Sequence, residues 1–118
     1  MIMKLAVIGS RSFNNYELMK SSINELAKKQ NAIISTIVSG GAMGADKLGE
    51  KYAKEYDIPT EIYLPDWSKG KYAGLDRNHQ IIINSDVVIC FWDGNSRGTL
   101  HSINLSKKYN KECIIIKF

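Results

Sequence analysis

Apolar residues concentrate in five short runs with β-strand character, at 3–8, 33–38, 60–64, 87–92 and 113–117. The amphipathic segments between them predict four helices, at 15–29, 43–57, 71–84 and 97–109. Regular alternation of strand and helix is typical of βαβ units. The run at 87–91 is apolar at every position, which indicates a strand covered on both faces. We therefore predict an α/β domain with a mainly parallel five-stranded sheet and helices on both faces.

Length and composition are those of one globular domain. The 118 residues fit a single domain spanning 1–118, and 44% hydrophobic with 24% charged residues is ordinary for a soluble protein. No apolar stretch approaches the roughly 18–20 residues needed to span a membrane. The first residues run directly into a strand and lack a signal-peptide cleavage pattern. We expect a cytoplasmic protein with no membrane partner.

The charge balance suits an anionic ligand. Sixteen Lys+Arg against twelve Asp+Glu give a net charge of +4, but the lysines are scattered and no arginine-rich run occurs. Nucleic acid is therefore not expected as a partner.

Metal binding and cofactors are not expected either. Cys90 and Cys113 lie inside apolar runs, where free cysteine behaves as a small buried hydrophobe. The two histidines, His79 and His101, have no ligand spacing relative to the cysteines. We predict no metal site.

Two glycine-rich turns each connect a predicted strand to a predicted helix. The first contains Gly9, Ser10 and Arg11, and the second spans 39–46 with the sequence SGGAMGAD. Glycine lets backbone N–H groups approach an anion, and the following helix N-terminus adds a favourable dipole. Neither turn is a Walker A loop or a dinucleotide fingerprint. The second turn adds four glycine or serine candidates for phosphate binding: Ser39, Gly40, Gly41 and Gly44.

Carboxylates and an arginine extend this candidate site. The Asp46 carboxylate can accept a hydrogen bond from a ribose hydroxyl, or it can simply interact favourably with the dipole at the N-terminus of its helix. Arg77 and Asn78 lie in the third predicted helix, where Arg77 is either a cleft residue or a surface residue. Because ligands of open α/β sheets bind at the carboxyl ends of the strands, these groups are expected to share one cleft.

The segment 92–99 leads from the end of the fourth predicted strand into a glycine-containing helix start. Gly98 and Thr99 can hold a phosphate by N–H and hydroxyl groups, and Asp93 can accept a hydrogen bond from a sugar. Trp92 or Trp67 can stack on a base, although core filling explains either tryptophan equally well.

Taken together and in order, the segments 7–13, 39–46, 74–78 and 92–99 resemble the YspA/YpsA-related branch of the SLOG superfamily, which is related to LOG-type and DprA-type proteins. The resemblance covers nearly the whole chain. It implies a Rossmann-like three-layer domain with its ligand site across the strand ends. SLOG domains include both nucleotide-sensing modules and enzymes that cleave nucleotide N-glycosidic bonds, so the resemblance leaves the activity open.

The LOG-type phosphoribohydrolases carry Pro-Gly-Gly-x-Gly-Thr-x-x-Glu and an upstream arginine that serve the cleavage. The resemblance aligns Gly98 and Thr99 with the Gly-Thr pair of this motif and Arg77 with the upstream arginine. Ser102 occupies the position where the motif has glutamate. Serine is a poor substitute for a carboxylate that activates water and stabilises an oxocarbenium-like centre. No catalytic residue is therefore assigned, and the candidates for an enzyme are Asp46, Asp93 and Arg77.

The sequence favours a module that binds a nucleotide-derived small molecule, of the ADP-ribose or cyclic-nucleotide kind, for sensing or sequestration. An N-glycosidic hydrolase is the alternative. The resemblance and the prevalence of symmetric dimers also lead us to expect a homodimer or a larger homo-oligomer.

Overall fold

The computed structural model describes residues 1–118 as a five-stranded parallel sheet with helices on both faces. The strands are β1 (Ile2–Gly9), β2 (Ile33–Ser39), β3 (Thr60–Ile62), β4 (Val87–Trp92) and β5 (Glu112–Lys117). The helices are α1 (Tyr16–Lys29), α2 (Ala45–Glu55), α3 (Ala73–Ile83) and α4 (Arg97–Lys108), and a single 3₁₀ turn covers Trp67–Lys69. The predicted fold class and order of elements are confirmed. None of these helices is both long and apolar enough to cross a membrane.

All four helices and β3 are shorter than the sequence pattern predicts, and the reasons are visible at α2 and β3. Helix α2 begins at Ala45 and not at residue 43, because Gly44 has φ +80° and interrupts helical geometry. Strand β3 ends at Ile62 and not at residue 64. Leu64 leaves the sheet and packs over Gly41, where an added Cβ would lie 2.6 Å from Leu64 Cδ2.

Strand β1 lies at the centre of the sheet, in the order β3-β2-β1-β4-β5. The chain first builds outward from β1 through β2 to β3, and then returns to the other side of β1 to form β4. The strand order therefore reverses between β1 and β4, and the helices that follow these two strands, α1 and α4, pack on opposite faces of the sheet. In open α/β sheets this reversal is where ligands bind.

Two hydrophobic cores lie on opposite faces of the sheet. Met3, Leu5 and Val7 of β1 point into a core with α1 and α2, whereas Ala6 and Ile8 point into a core with α3 and α4. The alternation follows from the two-residue repeat of a strand. Both faces of β1 are thus buried, which fixes the position of its carboxyl end.

Helix α2 approaches β1 unusually closely at Gly49. A Cβ built on Gly49 would lie 2.8 Å from both Cβ and Cγ1 of Val7, which is fully buried. Because Val7 is β-branched and enclosed, it has little room to move. Gly49 therefore sets the separation between α2 and the sheet.

We predict that Gly49→Ala lowers the free energy of unfolding by about 1 kcal/mol or more, since overpacking outweighs the gain in helix propensity. Urea denaturation measures the change. Gly98→Ala is the matched control, because a Cβ at Gly98 in the first turn of α4 meets no atom within 4 Å. Equal stability of the two variants would contradict this account of the contact.

Candidate functional site

A cleft of about 110 Å³ opens at the carboxyl ends of the strands, beside the reversal between β1 and β4. Its walls come from β1, from the turn after β2, and from α3 and α4. Seven of the residues predicted from the sequence line it: Gly9, Arg11, Asp46, Arg77, Asn78, Gly98 and Thr99. Residues separated by up to 90 positions in the chain thus share one site, as the strand-end argument predicts.

A second cavity of about 410 Å³ adjoins the cleft. Arg11, Ser96 and Gly98 line both spaces, and the second has no hydrophobic residue in its wall. Ser10 and Asp93, two further predicted residues, line this second cavity. Because they share these three wall residues, the two spaces form one polar groove.

Arg77 is held in place by its neighbours. Its Nη1 donates to the carbonyl oxygen of Gly40 at 2.6 Å and approaches that of Tyr63 at 3.4 Å, while Nε donates to Asn78 Oδ1 at 3.1 Å. Burial lowers the pKa of Arg77 from its usual value, but the nearby Asp46 charge opposes this shift. An arginine remains protonated under all ordinary conditions, so the cleft contains a fixed positive charge.

Asp46 is buried in the wall of the cleft, in the first turn of α2. Burial raises its pKa to about 6, although the Ala42 N–H that donates to Oδ2 at 3.2 Å and the Arg77 charge both favour the carboxylate. Asp46 therefore changes charge close to neutral pH. Such a carboxyl group can accept a hydrogen bond from a ribose hydroxyl, or it can exchange a proton with a ligand.

Arg11 differs from Arg77 because it is exposed and its guanidinium makes no hydrogen bond within the protein. It lines both the cleft and the adjoining cavity. An arginine with five free donors beside a concave surface is suited to bidentate binding of a phosphate or carboxylate.

The N-terminus of α4 contributes backbone donors. Asp93 Oδ1 accepts from the N–H groups of Asn95 and Ser96, both at 2.8 Å, and the Ser96 side chain accepts from Thr99 N at 3.4 Å. The hydrogen bonds from Asn95 and Ser96 lower the pKa of Asp93, and they fix its carboxylate within the turn. The N–H groups of Arg97 and Gly98 have no partner in the protein, and so they are free for an anion.

Ser10 joins the turns around the cleft. Its N–H donates to Phe91 O at 2.8 Å, and its carbonyl oxygen accepts from Phe13 N at 3.1 Å and Ala45 N at 3.3 Å. Its hydroxyl accepts from Asp93 N at 3.1 Å, and the residue is almost fully buried. The predicted ligand-binding serine thus connects β1 with the starts of α1 and α2 and with the turn after β4.

The remaining predicted site residues line neither space: Ser39, Gly40, Gly41, Gly44 and Trp92. A Cβ at Gly40 would lie 2.7 Å from Asp46 Oδ2 and 2.8 Å from Arg77 Nη1, so this glycine makes room for both side chains. A Cβ at Gly44 would lie 2.4 Å from Arg11 O. Both glycines allow protein groups to approach each other closely.

Ser39 and Trp92 also contact protein groups. The Ser39 hydroxyl accepts from Gly41 N at 3.1 Å and donates to Glu50 Oε2 at 2.9 Å. Trp92 Nε1 donates to Ser96 O at 3.2 Å. These contacts stabilise the loops behind the cleft.

Sequence reasoning missed several wall residues: Ile8, Ala42, Ile81 and Ser96. Ser96 carried a usable signal, because serine is a preferred N-cap residue and Ser96 directly precedes the predicted helix start at residue 97. Ser102 lies one helical turn after Thr99 and also lines the cleft, so the position that the resemblance aligns with a glutamate does face the site.

The fold and site define a Rossmann-like α/β domain with a cleft lined by two arginines at the strand-order reversal. A model of the YspA, cpYpsA-related SLOG family matches residues 3–70, more than half of the chain. The chain belongs to this family.

Two similar proteins extend the comparison beyond residue 70. The Gene 61 protein of Mycobacterium phage D29 is 27% identical, with 89% of each chain covered. A solved structure of DNA processing protein A from Helicobacter pylori, described for its single-stranded DNA binding mode, is 26% identical with a TM-score of 0.63. That match covers 96% of this chain and 64% of the other, so this chain spans less than two thirds of the larger protein.

We predict that Ser10→Ala lowers the free energy of unfolding by about 1–3 kcal/mol, because the Asp93 N–H loses its buried acceptor. Urea denaturation measures this effect. Ser12→Ala provides the control, since Ser12 is exposed and its hydroxyl makes no hydrogen bond. A loss no larger than in the control would mean that Ser10 does not hold the turns together.

The dependence of stability on pH tests the burial of Asp46. Because its pKa is raised in the folded protein, the folded state keeps a proton that the unfolded chain loses near its ordinary value of 3.8. This contribution to stability is fully present below that value and is lost as pH rises through about 6.

Relative to the unaltered protein, Asp46→Asn should therefore gain stability between about pH 4 and pH 7, by on the order of 3 kcal/mol. Urea unfolding at a series of pH values checks this expectation. A stability difference that stays constant over this range would contradict the raised pKa.

Proposed function

We propose that this protein binds a nucleotide or nucleotide-derived ligand through its phosphate, as a sensing or sequestering module. The observation that carries the proposal is the convergence of Arg11, Arg77 and the free N–H group of Gly98 on one cleft. Each of these groups favours a negative charge, and the helix N-terminus adds its dipole. Membership of the SLOG family supports a nucleotide-related ligand.

The size of the cleft supports a division of the ligand into two parts. A volume of about 110 Å³ accommodates a phosphate-sized group, whereas small-molecule pockets usually measure about 300–1,000 Å³. The adjoining polar cavity of about 410 Å³ provides space for a second phosphate. Asp46 and Asn78 line the cleft, where they can contact a ribose attached to the phosphate. An ADP-ribose-like molecule or a cyclic nucleotide fits this arrangement.

An N-glycosidic hydrolase is a second candidate, and the raised pKa of Asp46 favours it. A carboxyl that titrates near neutral pH beside an arginine has the properties of a general acid or base. Asp93 is less suited to this task, because two backbone N–H groups occupy its Oδ1 and lower its pKa. If the protein is an enzyme, Asp46 is the residue to test.

The likeness to DNA processing protein A bears on nucleic acid as a partner. That protein binds single-stranded DNA, so the similarity weakens the expectation that nucleic acid is not a partner of this chain. A phosphate-binding groove also suits a phosphodiester backbone. Binding of a small nucleotide can be distinguished from binding of single-stranded DNA by varying the ligand length and the salt concentration. Contacts to many phosphates make the affinity for DNA fall steeply with salt.

We predict that Arg11→Ala weakens binding of AMP or ADP-ribose at least about tenfold, since charge-assisted hydrogen bonds contribute about 1.5–3 kcal/mol. Isothermal titration measures the affinity. Folding should be unaffected, because the Arg11 guanidinium makes no hydrogen bond within the protein. Arg97→Ala is the control, since Arg97 is an exposed arginine at the start of α4 that lines neither space.

Equal affinities of the two variants would contradict a ligand in this cleft. The same titrations, followed by chromatography, also test for turnover. The binding proposal predicts intact AMP and ADP-ribose after long incubation. Release of free base that Asp46→Asn abolishes would establish the hydrolase instead.

A further inference from the structure

An exposed apolar surface borders the cleft on the side of β3 and α3. Six of the large hydrophobic side chains that face solvent are concentrated there: Met43, Ile62, Leu64, Trp67, Tyr72 and Leu75. Trp67 is 63% exposed and Tyr72 is 61% exposed. Isolated exposed hydrophobic residues are ordinary, but a contiguous group beside a polar groove marks an interaction site. We call Leu64, Trp67 and Tyr72 the aromatic rim.

The rim is continuous with the cleft. Leu64 packs against Gly41, and the next residue, Ala42, is part of the cleft wall. The ring of Trp67 lies 3.5 Å from the place where a Cβ on Gly74 would be. Gly74 precedes Arg77 by three residues, and residues at this spacing are neighbours on one face of a helix. The Trp67 indole is therefore about one helical turn from the arginine of the cleft.

The chemistry of the rim suits a nucleobase. Two lysines, Lys69 and Lys71, lie between Trp67 and Tyr72 in the chain, and Lys71 Nζ lies 5.1 Å from the centre of the Tyr72 ring. Exposed aromatic rings next to lysines bind bases by stacking and phosphates by charge. The nearby Asp66 carboxylate is occupied by the N–H and hydroxyl of Ser68, and so it is turned toward its own loop.

We infer that the aromatic rim stacks on the base of the ligand, with Trp67 as the principal contact, while the phosphate lies in the cleft. This inference rests on the proposed function and specifies the ligand class: a phosphate compound that carries a nucleobase. The polar groove by itself does not distinguish a nucleotide from a sugar phosphate. Stacking on the rim favours a nucleotide over a sugar phosphate, because a single stacked base commonly changes affinity by about tenfold or more.

The test compares AMP with ribose 5-phosphate by isothermal titration. The unaltered protein should bind AMP about tenfold more tightly. Trp67→Ala should remove this preference by weakening AMP alone, and Trp67→Phe should restore most of it because an aromatic face is retained. Tyr56→Ala is the control, since Tyr56 is a 40% exposed aromatic residue at the end of α2 that lines neither space.

Each contrary outcome has a separate meaning. Equal binding of the two compounds by the unaltered protein, or an unchanged AMP affinity in Trp67→Ala, would overturn the stacking inference and leave the proposed function intact. Binding of neither compound would overturn both. Sedimentation of Trp67→Ala tests the alternative that the rim contacts a second copy of the chain. A change in oligomeric state without loss of the AMP preference would assign the rim to that contact.

Discussion

The buried backbone and hydroxyl of Ser10 hold together the turns from which the site is built. Its N–H bonds to β4, its carbonyl oxygen accepts from the turn leading to α1 and from the start of α2, and its hydroxyl accepts from the turn before α4. The groups meet at this distance because Gly9 and Gly44 have no side chains: a Cβ at either would lie less than 2.5 Å from a carbonyl oxygen. The cleft therefore depends on backbone contacts more than on any single ligand-facing side chain.

The two arginines of the cleft differ in how firmly the protein holds them. Arg77 is fixed by Gly40 and Asn78, and the Asn78 amide is in turn 3.2 Å from Nδ1 of His101. Burial lowers the pKa of His101, which favours the neutral ring, and Nδ1 of a neutral ring can accept from the amide. Arg11 is exposed and free to follow a ligand. One positive charge is thus pre-positioned and the other adapts, while Asp46 partly offsets them until it takes up a proton.

Sequence reasoning could predict the strands and helices because each core face has a regular hydrophobic repeat, as in β1. It could also place Arg11, Asp46, Arg77 and Thr99 together, since strand ends of a parallel sheet meet at one edge. It could not separate glycines that face a ligand from glycines that face protein. Gly44 has the composition of a phosphate loop, yet the atoms its missing Cβ makes room for are the carbonyl oxygens of Ser10 and Arg11. That distinction depends on long-range packing, which local sequence does not encode.

The aromatic rim illustrates the same limit. The sequence is equally compatible with Trp67 in the core and with Trp67 on a base, and the structure places it on the surface, in contact with the Gly74 position. In the function we propose, the exposed tryptophan contacts the base and the arginines of the cleft contact the phosphate, so both ends of the nucleotide are bound at one edge of the sheet.

The most direct test is to incubate the purified protein with a mixture of nucleotides, NAD, ADP-ribose and cyclic dinucleotides, and then to identify by mass spectrometry what the denatured protein releases. The account predicts an intact phosphate-bearing nucleotide in the protein fraction. A protein fraction free of every compound in the mixture, or free base with ribose phosphate accumulating in solution, would contradict it.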